Sequence, residues 1–127
     1  VVIPSLKEGK TVISDRSWIS SVVYQSSDKI DSSYITDKNK EMGTLLKPDG
    51  VIFLDLAPSI ALKRIVGDDR EVNFFDEKPL AYHENIKEKY SEFLDKLEDD
   101  GIDVLRVVNA VNISDKLDEI SNFIEDL

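Results

Sequence analysis

The stretch Asp49-Gly50-Val51-Ile52-Phe53-Leu54-Asp55-Leu56-Ala57-Pro58 sets the fold class of this 127-residue chain. A β-branched and aromatic run bounded by Gly50 and Pro58 is the strongest strand signal in the sequence and predicts a strand over residues 50–56. Pro58 suits the first turn of a helix, where a missing N–H costs nothing, and residues 60–66 continue that helix. Outward from this unit, residues 11–14 read as a short buried strand and residues 102–108 as a third strand. Helices are predicted over residues 1–10, stopping at Gly9, from Trp18 through Gln25, over 80–97, and over 114–127 with Ser114 as N-cap. Residues 26–40 read as a loop with an exposed helix, and residues 67–79 are polar and aperiodic. Strands alternating with helices imply an α/β protein with a parallel sheet.

Composition narrows the function classes. The length is that of one domain at most, and a hydrophobic content of 41% is enough for a core. A formal charge of −10 argues against nucleic acid as a partner, because phosphate backbones are bound by a surplus of lysine and arginine. No cysteine means no disulfide framework and no thiol chemistry. No apolar run approaches the roughly 20 residues needed to cross a bilayer, and Val1 opens no recognisable signal sequence. A soluble, cytoplasmic protein with no membrane partner is expected.

The segment with the most chemistry is Thr11-Val12-Ile13-Ser14-Asp15-Arg16-Ser17-Trp18-Ile19-Ser20-Ser21-Val22-Val23-Tyr24-Gln25. Ligands of parallel α/β sheets sit outside the carboxyl ends of the strands, which is where Asp15 and Arg16 fall. Arginine offers a planar fork of donors suited to phosphate, and aspartate offers hard oxygens suited to Mg²⁺. The same dipeptide also makes a helix cap and a surface ion pair. Ser20, Ser21, Tyr24 and Gln25 share one helical face, and all can hydrogen-bond. His83 stands alone, with no second ligand-type residue beside it, and reads as a surface residue. Glu84, Glu88, Glu92, Asp95 and Asp99 are spaced as a solvated helix face.

The 11–25 segment resembles the acceptor-site motif of thymidylate kinases, a strand ending in Asp-Arg followed by a helix with Ser-x-x-x-Tyr-Gln. The likeness runs on in order: Pro4 to Lys10, Pro48 to Asp55 with Pro58 and Ala61 to Arg64, Asp69-Arg70-Glu71 as a lid, Lys87 to Tyr90, and Ile102 to Ala110. The resemblance implies part of a parallel-sheet P-loop nucleoside monophosphate kinase fold. It makes residues 1–127 a single domain portion: acceptor strand and helix at 11–25, lid-like segment at 67–79, last strand and helix at 102–127. The chain contains no Gly-x-x-x-x-Gly-Lys-(Ser/Thr). In the family that loop belongs to a first, central strand, so this chain reads as the later two-thirds of a kinase that needs a segment upstream of Val1.

The resemblance also implies roles. Arg16 would grip the acceptor phosphate, and Asp15 would stand near Mg²⁺ and the transferring group. Ser20, Ser21, Tyr24 and Gln25 would contact base and sugar, with Tyr24 excluding a ribose hydroxyl. Ser17 and Trp18 depart from the family, which usually has an aromatic residue or histidine at position 17. Arg64 would stack on the adenine of ATP, and Asn109 and Ala110 would lie in the adenine-binding loop. Arg70 would be the lid arginine, although Asp68, Asp69, Glu71, Asp76 and Glu77 surround it; some members carry that arginine in the phosphate loop instead. Structural accounts compete: core packing for Tyr24, and a cation at a helix C-terminus for Arg64. The implied activity is transfer of the ATP γ-phosphate to dTMP, in a homodimer. Another deoxynucleotide or deoxynucleoside kinase, or a non-catalytic kinase-fold binding module, is the alternative.

Overall fold

A computed structural model describes residues 1–127 apart from 28, 42–45, 68–70, 75 and 109–110. The chain forms two compact units, Val1–Leu46 and Lys47–Leu127. No helix among the described residues is long and apolar enough to cross a membrane.

The first unit is helical. Helix α1 (Val2–Lys7) ends where Gly9 takes φ +75°. The Gly9 N–H then bonds the Leu6 carbonyl and the Lys10 N–H the Ser5 carbonyl, both at 3.0 Å, which satisfies the orphan carbonyls of the last turn. Helix α2 (Trp18–Gln25) starts at Ser17, whose hydroxyl accepts from the Ile19 N–H at 3.3 Å. Helix α3 (Ser32–Glu41) is capped by Asp31, whose carboxylate accepts from the Ser33 N–H at 2.7 Å. Helices α2 and α3 pack together, and Ile19, Val22, Val23 and Ile35 are buried. The strand predicted at residues 11–14 does not form. No strand among the described residues pairs with residues 11–14, and Ile13 is 76% exposed. A β-branched run favours an extended backbone; only a ladder partner makes it a strand.

The second unit carries the α/β architecture. Strands β1 (Gly50–Asp55) and β2 (Asp103–Val108) pair in parallel, in register from Gly50 opposite Asp103 to Asp55 opposite Val108. Between them run α4 (Pro58–Gly67) and the 20-residue α5 (Leu80–Asp99). Helix α5 ends on Gly101 at φ +81°, with the Gly101 N–H on Glu98 and the Ile102 N–H on Leu97. Leu97 and Ile102 are both buried, the apolar pair that accompanies such a stop, and β2 starts at the next residue. Ile86, Leu94 and Val107 complete the core, while Phe53 of β1 stacks on Tyr90 of α5 at 5.4 Å between ring centroids.

Arg106 ties β2 to α5: its guanidinium bonds Asp95 at 2.5 Å and Glu98 at 2.9 Å. The hydrogen bond to Asp95 raises the Arg106 pKa above its ordinary value, and partial burial opposes that shift. Asp95 of the acidic face is therefore a tether as well as a solvated residue. Ser114 does not cap the final α-helix, which starts at Leu117 with Lys116 at its N-cap and no side-chain cap bond; the side-chain cap in this region is Asn112. Its side chain accepts from the Ser114 N–H at 3.3 Å and opens a short 3-10 helix, Ile113–Lys116, ahead of α6 (Leu117–Asp126). Serine and asparagine are near-equal caps, and chain geometry selected the one two residues earlier.

Helix α6 closes over the start of β1. A Cβ at Gly50 would lie 2.7 Å from Leu127 and 3.0 Å from Phe123. Gly50→Val in the natural full-length protein is expected to lower stability by ~1–3 kcal/mol through overpacking. Leu127→Ala should relieve part of that loss. Urea unfolding of the two single variants and the double variant measures this, and additive losses would mean the contact is not the cause.

Candidate functional site

The unit Val1–Leu46 brings six of the sequence-predicted residues onto one turn and one helix. Arg16 is the only non-glycine residue with positive φ among the described residues, at +69°. That left-handed conformation is unfavourable for any side chain with a Cβ, and such outliers gather at functional sites. The Ser14 hydroxyl donates to the Arg16 carbonyl at 2.6 Å. Asp15 and Arg16 are exposed, and neither makes an ion pair among the described residues. The surface ion pair that competed as an explanation for Arg16 is therefore not found there. The competing cap on α2 is Ser17, not Asp15.

On α2 the buried residues Ile19, Val22 and Val23 define the inner face. At about 100° per residue, Ser20, Ser21, Tyr24 and Gln25 fall on the opposite face. Ser20, Ser21 and Tyr24 are half-buried and Gln25 is exposed. Tyr24 thus lies on the polar face yet is half-buried, which suits both the packing account and a position beside a ligand. Trp18, which the sequence left unexplained, donates its indole N–H to the Leu46 carbonyl at 2.9 Å and so anchors the first turn of the helix. Ser14 was missed as well: it ends a β-branched run, and its bond partner lies two residues on.

In the unit Lys47–Leu127, parallel pairing sets the carboxyl ends of β1 and β2 side by side, at Asp55 and Val108. Arg64, in the last turn of α4, donates to the Val111 carbonyl. This joins α4 to the residue that follows Asn109 and Ala110, and those two lie outside the described residues. Lys87 of α5 sits 2.8 Å from the Asp55 carboxylate, which is itself only 25% exposed. Sequence reasoning assigned neither residue a role, although an acid ending an apolar strand and a basic residue on a later helix were a usable signal.

Arg70 also lies outside the described residues. The flanking part of the lid-like segment is held by a reciprocal turn, in which the Asn73 and Asp76 side chains each accept the other's backbone N–H, at 3.0 and 2.9 Å. Its cation is Lys78, 4.2 Å from the Phe74 ring centroid and 5.9 Å from that of Tyr82. His83 is half-buried rather than a plain surface residue, edge-on to Tyr82 at 5.5 Å between centroids. No group of three or more His, Cys, Asp or Glu able to hold a metal is found among the described residues.

Comparison with known proteins gives this geometry its family. The sequence model described as Thymidylate kinase matches residues 1–115. The chain belongs to the thymidylate kinase family. A curated thymidylate kinase of Clostridium novyi (strain NT) is 34% identical over 129 aligned positions, which cover 98% of this chain and 60% of that protein. The chain thus spans about three-fifths of the length of the relative it matches. The matched residues 1–115 include Asp15, Arg16, the whole of α2, Arg64 and Lys87, and stop short of α6.

Proposed function

We propose that the protein to which this chain belongs is a thymidylate kinase, passing the γ-phosphate of ATP to dTMP to give dTDP. The observation that carries the reading is the Asp15-Arg16 turn, with Arg16 in a left-handed backbone ahead of the polar face of α2, in a chain of this family. Arg16 would hold the dTMP phosphate through its planar fork, a geometry an ammonium group does not offer. Ser20, Ser21 and Gln25 would donate to or accept from the base, and Tyr24 would fill the space beside the sugar 2′ position. In the second unit Arg64, fixed to Val111, would border the adenine together with Asn109 and Ala110. Arg70 would serve as the lid cation over the phosphates, with Lys78 beside it.

Asp15 fits a role toward Mg²⁺: it is exposed and makes no ion pair among the described residues, and Mg²⁺ usually takes one or two carboxylates and completes its shell with phosphate and water. When bound, the ion neutralises phosphate charge. The residues of this chain contribute position and charge, because phosphoryl transfer asks little acid–base work of the protein.

The donor β- and γ-phosphates would be held by a segment outside this chain, since the sequence contains no phosphate-cradling motif. Two observations support a further central strand in that segment. The edge of β1 opposite β2 carries no strand among the described residues, and no β1 residue is fully buried. Strands of parallel sheets are normally covered on both faces. A cytoplasmic homodimer is part of the same proposal and rests on the family resemblance. A related kinase with another acceptor is the second reading, because Ser17 and Trp18 stand at the base-pocket end of α2, where the family differs.

Three measurements test the proposal. Arg16→Ala in the natural full-length protein is expected to weaken dTMP binding by ~1.5–3 kcal/mol while sparing deoxythymidine. Equal losses for both ligands in calorimetric titration would remove Arg16 from the phosphate. Tyr24→Ala should raise turnover of UMP relative to dUMP, a pair differing only at the 2′-hydroxyl; an unchanged ratio would return Tyr24 to packing. Purified Val1–Leu127 should show no ATP-dependent phosphorylation of dTMP in a coupled assay, and turnover by this fragment would sink the assignment of the donor phosphates to another segment.

A further inference from the structure

We infer that Ser14 is a positioning residue for Arg16, its hydroxyl holding the left-handed backbone from which the guanidinium meets the nucleotide phosphate; the inference rests on the phosphate-gripping role proposed for Arg16. Arg16 pays a conformational penalty at φ +69° that glycine would avoid, so something must hold it there. No ion pair among the described residues involves its side chain, so the strained backbone serves no such contact. The Ser14 hydroxyl reaches the Arg16 carbonyl at 2.6 Å, a short bond across two residues that closes the turn.

Neighbouring groups do not supply the same restraint. The Ser17 hydroxyl is engaged at the N-cap of α2, accepting from Ile19, and the Ser17 carbonyl accepts from the Ser20 N–H at 3.1 Å. The helix ladder therefore begins one residue after Arg16 and leaves the Arg16 carbonyl to the side chain of Ser14. Both residues are exposed, so a substitution at position 14 leaves the buried set Ile19, Val22, Val23 and Ile35 untouched. Ser14 touches no substrate in this scheme. It acts through the placement of Arg16, and its loss should appear only in ligands that carry the phosphate.

Calorimetric titration of the natural full-length protein with dTMP and with deoxythymidine tests the inference, using Ser14→Ala, Ser14→Thr, Arg16→Ala and the Ser14→Ala/Arg16→Ala double variant. Loss of one hydrogen bond predicts dTMP binding about 3- to 10-fold weaker in Ser14→Ala, with deoxythymidine unchanged within about twofold. Ser14→Thr keeps the hydroxyl and should keep the preference for dTMP. In the Arg16→Ala background Ser14→Ala should add nothing, because the two act as one unit. Equal weakening of both ligands, or the same loss with Arg16 already removed, would overturn the positioning role while leaving the kinase reading in place. Failure of the unsubstituted protein to prefer dTMP over deoxythymidine would bring down the kinase reading, and this inference with it.

Discussion

The parallel ladder between β1 and β2 is the constraint on which the larger unit depends. Parallel strands cannot be joined by a hairpin, so the chain between them must travel back along the sheet, and here it does so through α4 and α5. The register sets Asp55 opposite Val108. The turn into α4 leaves from that end of β1, and Arg64 of α4 bonds the Val111 carbonyl, three residues beyond the end of β2. Gly101 makes the return possible at the other end. Its left-handed turn lets α5 stop and β2 begin within three residues, with Leu97 and Ile102 buried against each other's chain segments. A side chain at position 101 would have to bear the same left-handed strain that Arg16 bears.

Positive charge is scarce in this acidic chain, and its arginines divide by what they touch. Arg106 is committed to Asp95 and Glu98, a cross-link between strand and helix whose partners are mostly solvated, so its contribution is modest. Arg64 is committed to a backbone carbonyl, which fixes a turn without neutralising the guanidinium. Arg16 makes no ion pair among the described residues and sits in a costly backbone conformation. A guanidinium kept in that condition is suited to an anion that arrives with a ligand. The lysines show the same division: Lys87 is paired with Asp55, while Lys78 lies against the Phe74 and Tyr82 rings.

Two different kinds of stabilisation support the two groups of candidate residues. Around Arg16 the bonds are local and polar, spanning two or three residues, and they need little of the surrounding core to form. At the carboxyl ends of β1 and β2 the contacts join residues far apart in sequence, such as Arg64 with Val111 and Asp55 with Lys87. Local bonds can order a turn early in folding, whereas the long-range set must wait for the ladder and the closing of its loops.

Much was legible in the sequence because it depends on short spacings. The 50–58 stretch announced strand β1 and helix α4, the Ile86 to Leu97 spacing announced α5, and Gly9 marked the end of α1. The separation of Ser20, Ser21, Tyr24 and Gln25 from Ile19, Val22 and Val23 followed from the helical period alone, and Asp15-Arg16 with its following helix carried the family. Tertiary structure decided the rest. Residues 11–14 have the composition of a strand, yet strand formation is a property of two chain segments and no described strand pairs with them. Composition also cannot choose between Asn112 and Ser114 as a cap, since both side chains can accept from an orphan N–H; in the structure Asn112 caps a 3-10 helix and α6 begins without a side-chain cap. The positive φ of Arg16, and the serine that secures it, were invisible for the same reason: a backbone angle is set by what the turn must connect, and one-letter spacing does not record it.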